Sequence, residues 1–163
     1  MDIVKDWQQI KKIFNDGFKT SGHYAIASTN PDGSPHVTPI GSLILYDPGH
    51  GVYADEYPII LSRNIKHNSR VCVMAVNSGS GFWFKSLIKG KFHKHPGIRL
   101  TGIAGNKRLG TEREINNWLK RVKIFSRFKG YNKLWLNMKY VRDIHFDGAM
   151  LLSAGKMSEE LHG

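Results

Sequence analysis

The chain has 163 residues and a formal net charge of +11, and 40% of its residues are hydrophobic. This length fits one domain, over residues 1–163, and the hydrophobic content excludes a disordered chain. No apolar run approaches the roughly 20 residues that a membrane-spanning helix needs, and Cys72, the only cysteine, excludes an internal disulfide. Its valine neighbours predict a buried, inert thiol.

The start of the chain lacks the charged and apolar segments of a secretory signal, so we expect a cytoplasmic location. The spacing of Trp7, Ile10 and Phe14 predicts an amphipathic N-terminal helix over residues 1–18 that ends near Gly17.

Two strands are predicted over residues 23–29 and 36–46, on either side of the turn Asn30-Pro-Asp-Gly33. Pro39 removes a backbone donor from the second strand, which indicates an edge, a bulge or a gap that faces a ligand. Gly41 allows another group to approach the backbone closely.

A third strand is predicted over residues 52–56, followed by a short helix that begins at Pro58 or Ser62 and ends near Asn68. Residues 70–76 are apolar on both faces, which is typical of a strand buried in a barrel wall.

Residues 77–97 form an aromatic and basic insertion, helical or looped, after a Gly/Ser-rich break in the chain. It combines side chains such as Phe82 and Trp83 with lysines, a mixture that binds single-stranded nucleic acid or an anionic aromatic ligand. Structural packing of Trp83 and Phe84 is the alternative. His93 and His95 alternate without an evident third ligand, so no metal site is predicted.

A strand with glycine bends at Gly102 and Gly105 is predicted over residues 98–107. The capping box from Thr111 to Glu114 opens a helix over residues 111–129.

Residues 141–146 and 149–153 are predicted to be closing strands. Six or seven short strands with three helices favour a mainly β protein, a small β-barrel with α decorations, over an open sheet. The sequence has no strand–helix–strand unit with a Gly-x-Gly-x-x-Gly loop, so a dinucleotide-binding fold is disfavoured.

The residues from Asn30 to Ile40, with Val52–Glu56 and Ser62–Val76, resemble the pyridoxamine 5'-phosphate oxidase-like FMN-binding split-barrel family. The resemblance covers residues 20–76 well and is weaker to about residue 155. It implies an FMN-binding split β-barrel that forms a homodimer with the cofactor at the subunit interface.

The same resemblance implies that residues 36–41 line the isoalloxazine ring and that the corner after the third strand binds the phosphate. In one alignment Ser62-Arg63 takes the place of the family's Ser-Arg-Lys, with Asn64 in place of lysine. In the other alignment the basic pair falls on Ile60-Leu61. Either alignment lacks one basic phosphate ligand, which Lys66 or a basic residue of the insertion would replace.

From the residues alone, Ser62 could be a helix N-cap, Arg63 a surface residue, His36 a solvent-facing residue, and Asp55-Glu56 a solvated strand end. No catalytic residue is predicted. The candidate cofactor-binding residues are His36, Val37, Thr38, Pro39, Ile40, Gly41, Ala54, Asp55, Ser62, Arg63, Asn64, Lys66 and Trp83.

The first functional hypothesis is an FMN-dependent oxidoreductase that acts with a small-molecule substrate or electron donor. Vitamin B6 oxidation is not predicted, because residues 148–158 lack the family's C-terminal Trp and Arg arrangement. A deazaflavin or haem is the second hypothesis. The third hypothesis is a basic barrel without catalysis that binds nucleic acid or an acidic membrane surface. The net charge and the composition of residues 82–95 support it. The expected partners are a second copy of the chain and a small molecule, and nucleic acid is not expected.

Overall fold

The computed structural model describes residues 1–135 and 137–161. The strands of this part are β1 (Tyr24–Thr29), β2 (Pro35–Ile40), β3 (Ile44–Leu45), β4 (His50–Ala54), β5 (Arg70–Val76), β6 (Gly97–Leu109) and β7 (Tyr140–Leu151). The helices are α1 (Trp7–Ser21), α2 (Ile59–His67), α3 (Ser80–Lys89), α4 (Glu112–Val122) and α5 (Gly130–Leu134), with 3₁₀ segments at Lys123–Phe125 and Gly155–Leu161.

The strands form one antiparallel sheet in the order β2-β1-β5-β6-β7-β4-β3. Its two edge strands, β2 and β3, are separated in sequence by residues 41–43 alone. A linker of this length spans roughly 14 Å at most, whereas seven flat strands would place their edges about 29 Å apart. The sheet therefore curls until its edges lie close together, which confirms the predicted split barrel and the edge position of Pro39.

The barrel interior is filled from alternate strand positions. In β5, Val71, Val73 and Ala75 are buried, whereas Cys72 is half-buried and Met74 is 39% exposed. The prediction that both faces of this strand are buried is therefore wrong, since β5 buries only its inward face completely. Partial burial raises the pKa of the Cys72 thiol, which disfavours the reactive thiolate.

Helix α1 packs on the barrel through Trp7, Ile10 and Phe14, which join the main core. The helix passes the predicted end at Gly17, where a β-carbon would lie 3.0 Å from the backbone nitrogen of Val76. Gly17 thus permits close packing, and the helix ends at Gly22, whose φ of 74° is left-handed. The predicted bounds of 1–18 are shifted to Trp7–Ser21.

Two strand predictions are corrected at their breaks. The strand predicted over 36–46 divides into β2 and β3, since the chain turns at residues 41–43 to leave one sheet edge for the other. The strands predicted over 141–146 and 149–153 are one strand, β7. The bends in β6 are confirmed, with register shifts against β7 at Gly102 and between Ala104 and Lys107.

The helix predicted over 111–129 ends early. The Thr111–Glu114 capping box is present, but α4 ends at Val122 and is followed by a 3₁₀ turn. Repulsion between like charges three and four residues apart, as in Lys120, Lys123 and Arg127, disfavours a longer helix. Gly130, the predicted stop, begins α5 instead.

The insertion predicted over 77–97 contains α3 and the turn that leads into β6. In the described part of the chain, no helix is both long enough and apolar enough to cross a membrane.

Candidate functional site

An apolar cavity of about 600 Å³ lies at the end of β2, where the chain turns toward β3. One wall is the end of β2 and the residue that follows it, from Thr38 to Gly41, together with Ala54 at the end of β4. The volume falls within the roughly 300–1,000 Å³ of typical small-molecule sites.

The opposite wall is aromatic and comes from α4, α5 and the residues after α5. The rings of Trp118 and Trp135 meet edge to face with centroids 6.5 Å apart. Trp118 Nε1 donates to Met138 Sδ at 3.0 Å, and the Tyr57 hydroxyl donates to the backbone oxygen of Leu134 at 3.0 Å. These contacts hold the wall in place, so the cavity offers a fixed bed for a planar ligand.

The charged residues that line this cavity, among those described, are Lys19 and Arg121. Arg121 donates to the carbonyl oxygen of Leu43 at 2.7 Å, and its guanidinium lies 4.3 Å from the centre of the Phe18 ring. Arg121 is therefore fixed, and the cavity is both apolar and positive in potential.

Gly41 leaves part of this space open. A β-carbon at this position would lie 3.4 Å from the carbonyl oxygen of Gly22 and 3.9 Å from the indole of Trp118. Such distances are ordinary contacts, so the backbone tolerates a small side chain. A larger side chain would extend into the space between the strand and the indole.

A second, basic cavity of about 290 Å³ adjoins the first and shares Pro58 with it. It lies at the start of α2, where the backbone N–H groups of the first turn favour an anion. The charged and polar side chains that line it are Asp55, Glu56, Ser62, Arg63, Lys66 and Lys107.

Asp55 is neutralised from behind by a buried arginine. Arg142 is 2% exposed, and its Nη2 and Nε donate to Asp55 Oδ2 at 2.7 and 3.0 Å. Arg142 Nη2 also donates to Ser62 Oγ at 2.9 Å. The expectation of a solvated strand end is therefore wrong for Asp55, because the β4–β7 pairing places Arg142 beneath it. The cations Arg63, Lys66 and Lys107 then outweigh Glu56.

Asn64 connects this corner to the β1–β2 hairpin. It is fully buried, and its amide donates to Ser28 Oγ at 3.1 Å and to Asn30 Oδ1 at 2.9 Å. Arg63 Nη2 donates to the same Asn30 oxygen at 3.3 Å. Asn64 therefore faces the interior and positions Arg63, whereas Arg63 itself is exposed.

Four predicted site residues line neither cavity, the buried Asn64 and three others. His36 is half-buried on β2, where Nδ1 lies 3.5 Å from Ser28 Oγ, and Val37 is exposed on the outer face. Trp83 lies in α3, where Nε1 donates to the carbonyl oxygen of Asn77 at 2.7 Å and the ring meets Phe92 edge to face. Trp83 thus has a packing role in this structure, whereas the packing alternative is wrong for Phe84, which is 65% exposed.

Four residues line the cavities without having been predicted from the sequence: Lys107, Arg121, Trp118 and Trp135. The apolar face of α4 was a signal for Trp118, but its placement over β2 depends on the fold. Lys107 comes from β6, roughly forty residues after α2, and no local pattern connects the two.

No protein-family model and no curated protein matches this chain. Solved structures do. An FMN-binding protein from Syntrophomonas wolfei subsp. wolfei is similar with a TM-score of 0.64 and 11% identity, over 91% of this chain and 89% of that one. A pyridoxamine 5'-phosphate oxidase-like protein from Lactobacillus delbrueckii has a TM-score of 0.53 and 20% identity, over 86% and 91%. An F420 reductase has a TM-score of 0.53 and 13% identity, over 78% and 88%.

The chain therefore has the FMN-binding split-barrel fold, the fold that the resemblance of residues 30–76 implies. At these identities the likeness concerns the architecture, and function has to be argued from the two cavities.

Proposed function

We propose that this protein binds FMN and acts as a flavin-dependent oxidoreductase. The observation that carries the proposal is the pair of adjoining cavities, one apolar with an aromatic wall and one basic at a helix start. FMN has the same two parts, a planar ring system and a single phosphate. The fold shared with an FMN-binding protein adds support.

The residues fit this ligand part by part. Thr38 to Gly41 and Ala54 would line the ring, with the side chain of Thr38 as a hydrogen-bonding group. The phosphate would be bound by Ser62, Arg63 and Lys66. This assignment agrees with the alignment in which Ser62-Arg63 is the phosphate motif. Lys107 has the position and charge to replace the missing basic ligand.

The remaining predicted residues have supporting roles in this proposal. Asp55 is held by Arg142 and orients Ser62, whose hydroxyl lies 3.2 Å from Asp55 Oδ2. Asn64 positions Arg63. His36 and Val37 lie on the strand that carries the ring-binding residues, and Trp83 would reach the cofactor only from a partner subunit.

When bound, the flavin supplies two-electron redox chemistry, and the protein supplies orientation and exclusion of water. Trp118 and Trp135 cover the apolar cavity, and Arg121 with Lys19 places positive charge beside it. These cations would stabilise negative charge on the ring and attract an anionic substrate or electron donor.

A homodimer is part of the proposal. The row of paired residues Pro39, Ala25, Met74, Arg99 and Met150 crosses five neighbouring strands on the outer face of the barrel. We call this outer face, including the row of paired residues, the outer band. It exposes four large hydrophobic side chains, those of Val37, Met74, Ile103 and Met150. Because Pro39 belongs to both the outer band and the apolar cavity, a second copy on the band would meet the cofactor site.

The test is the ligand itself. The purified protein is examined by visible spectroscopy and by mass spectrometry of the released small molecule, and apoprotein is then titrated with FMN. We expect a flavin spectrum and saturable one-to-one binding. A colourless protein that does not bind added FMN would contradict the proposal.

A deazaflavin is the second candidate, because an F420 reductase shares the fold. The same experiment separates the two, since F420 and FMN differ in mass and absorption. Competition between them in the titration would show which one the apoprotein prefers. A haem would be recognised by its Soret band.

A further inference from the structure

Helix α3 packs through one face on the chain segments that precede and follow it. Ser86 is buried, the Trp83 indole donates to the carbonyl oxygen of Asn77, and Phe82 stacks on the buried Phe92 with ring centroids 5.4 Å apart. These contacts fix the rotation of the helix about its axis.

The other face of α3 is apolar and points outward. Phe84, Leu87 and Ile88 are 65%, 63% and 71% exposed. Their spacing of three and four residues places them side by side on one stripe of the helix. A contiguous stripe of three large apolar side chains on a fixed helix is typical of an interaction surface.

Positive charge borders this stripe. Lys85 and Lys89 are exposed on the same helix, and in the described part of the chain no carboxylate lies within ion-pair distance of either one. Lys91, one residue past the helix end at Gly90, pairs with Glu160 instead. The stripe is therefore bordered by two uncompensated cations.

We propose that α3 docks this protein reversibly on an anionic phospholipid surface. Phe84, Leu87 and Ile88 would enter the boundary between headgroups and acyl chains, and Lys85 and Lys89 would lie at the lipid phosphates. An apolar face beside lysines, on a helix too short to span a bilayer, has the chemistry of an interfacial helix. This proposal is independent of the flavin.

Two other occupants fit the surface less well. A second copy of a chain with net charge +11, docked through the same helix, would bring the uncompensated lysines of both copies together. Single-stranded nucleic acid would stack its bases on planar rings, whereas Leu87 and Ile88 are aliphatic.

The test is cosedimentation of the full chain with phosphatidylcholine vesicles, with and without phosphatidylserine at about one lipid in three. We expect binding to the anionic vesicles only. Lys85→Glu with Lys89→Glu should weaken it by about tenfold or more, and Leu87→Gln with Ile88→Gln by a similar factor. A wild-type protein that stays in the supernatant, or one that binds an oligonucleotide but not vesicles, would overturn the proposal.

Matched controls separate α3 from the charge of the whole protein. Lys5→Glu with Lys12→Glu changes the net charge equally at exposed positions outside α3, and Ile124→Gln changes an exposed apolar residue elsewhere. Both controls should retain more vesicle binding than the α3 variants. Equal losses would overturn the assignment to α3. Near-ultraviolet circular dichroism checks that every variant is folded.

A fluorescent probe tests insertion directly. In a Cys72→Ser background, Ile88→Cys is labelled with an environment-sensitive dye, and Lys12→Cys serves as the control position. We expect a blue shift at position 88 with anionic vesicles and none at position 12. Bound protein whose dye at position 88 stays in a polar environment would contradict insertion of this face.

Discussion

Arg63 combines exposure with an anchored position, the combination that a phosphate ligand needs. It donates to Asn30, and the buried Asn64 donates to the same oxygen. The guanidinium is thus held at the basic cavity. Within the described part of the chain, no carboxylate forms an ion pair with it.

Replacing Arg63 with alanine should weaken FMN binding by about tenfold or more, since a charge-assisted hydrogen bond contributes about 1.5–3 kcal/mol. Titration of apoprotein with FMN, followed by flavin fluorescence, measures the change. Arg113→Ala, which removes an exposed arginine that lines neither cavity, should leave the affinity unchanged. Unchanged affinity in Arg63→Ala would place the phosphate elsewhere.

The buried pair of Arg142 and Asp55 supports the same corner from within. Arg142→Met should lower the free energy of unfolding by about 3–5 kcal/mol, because it leaves the Asp55 carboxylate buried without its partner. Urea unfolding followed by circular dichroism measures the loss. A second change, Asp55→Asn, should recover part of it.

Arg70→Met is the matched control, because the Arg70–Asp147 pair is half exposed, and its loss should cost no more than about 1 kcal/mol. Similar losses in Arg142→Met and Arg70→Met would show that burial of the Asp55 pair adds nothing.

At the scale of elements, β2 is an edge strand whose end forms the wall of the apolar cavity. Gly41→Val should preserve the fold but block ligand binding, because the added methyl groups extend into the space toward Trp118. The measurements are the thermal midpoint and the FMN titration. Gly81→Val is the control, because a β-carbon at position 81 would have no atom within 4 Å, and this variant should retain FMN binding. Full FMN loading of Gly41→Val would show that the ring lies elsewhere.

Arg108 joins three elements into one charged network. It donates to Asp143 of β7 at 2.6 and 2.8 Å and to Glu114 of α4 at 2.7 and 2.9 Å, and His50 of β4 also contacts Asp143. The hydrogen bonds from Arg108 are the largest cause of a lowered pKa at both carboxyl groups. The pKa of Asp143 and the pKa of Glu114 are each lowered to about 2. Both carboxylates therefore stay ionised in the folded protein well into acid.

Stability should depend on this network in a defined pH window. Because both carboxyls have a lower pKa folded than unfolded, their contribution is complete above about pH 5 and is lost as the pH falls toward 2. Free energies of unfolding measured across this range should therefore decline in the wild type. In Arg108→Met the decline should be shallower. An identical slope in both proteins would contradict the assigned role of Arg108.

At the scale of the whole molecule, the outer band connects assembly to ligand binding. Met74→Glu should give a monomer, since it puts a carboxylate where the outer band presents the exposed apolar side chains of Met74 and Met150, and it should also lose FMN. Analytical ultracentrifugation and the FMN titration measure the two effects. Val4→Glu changes an exposed valine outside the band and should leave both unchanged. A monomeric wild type that binds FMN fully would contradict an interface site.

Local sequence signals predicted much of this architecture. The turn at Asn30–Gly33, the β5 bounds of 70–76 and the capping box at Thr111 depend on neighbours along the chain, and all three are present. The β5 outer face, the burial of Asp55 beside Arg142 and the role of Lys107 depend on strand order. Strand order is a property of distant residues, and no short pattern encodes it.

The seam between β2 and β3 has a consequence for motion. Both strands are edges of the sheet, so separating them breaks no ladder between them. A ligand in the apolar cavity would contact the end of β2, residues 41–42 and Ala54 of β4, and would thereby hold this edge of the sheet in place. Amide hydrogen exchange should consequently slow on loading mainly in β2 and residues 41–43, while the central strands, already tied on both sides, change little.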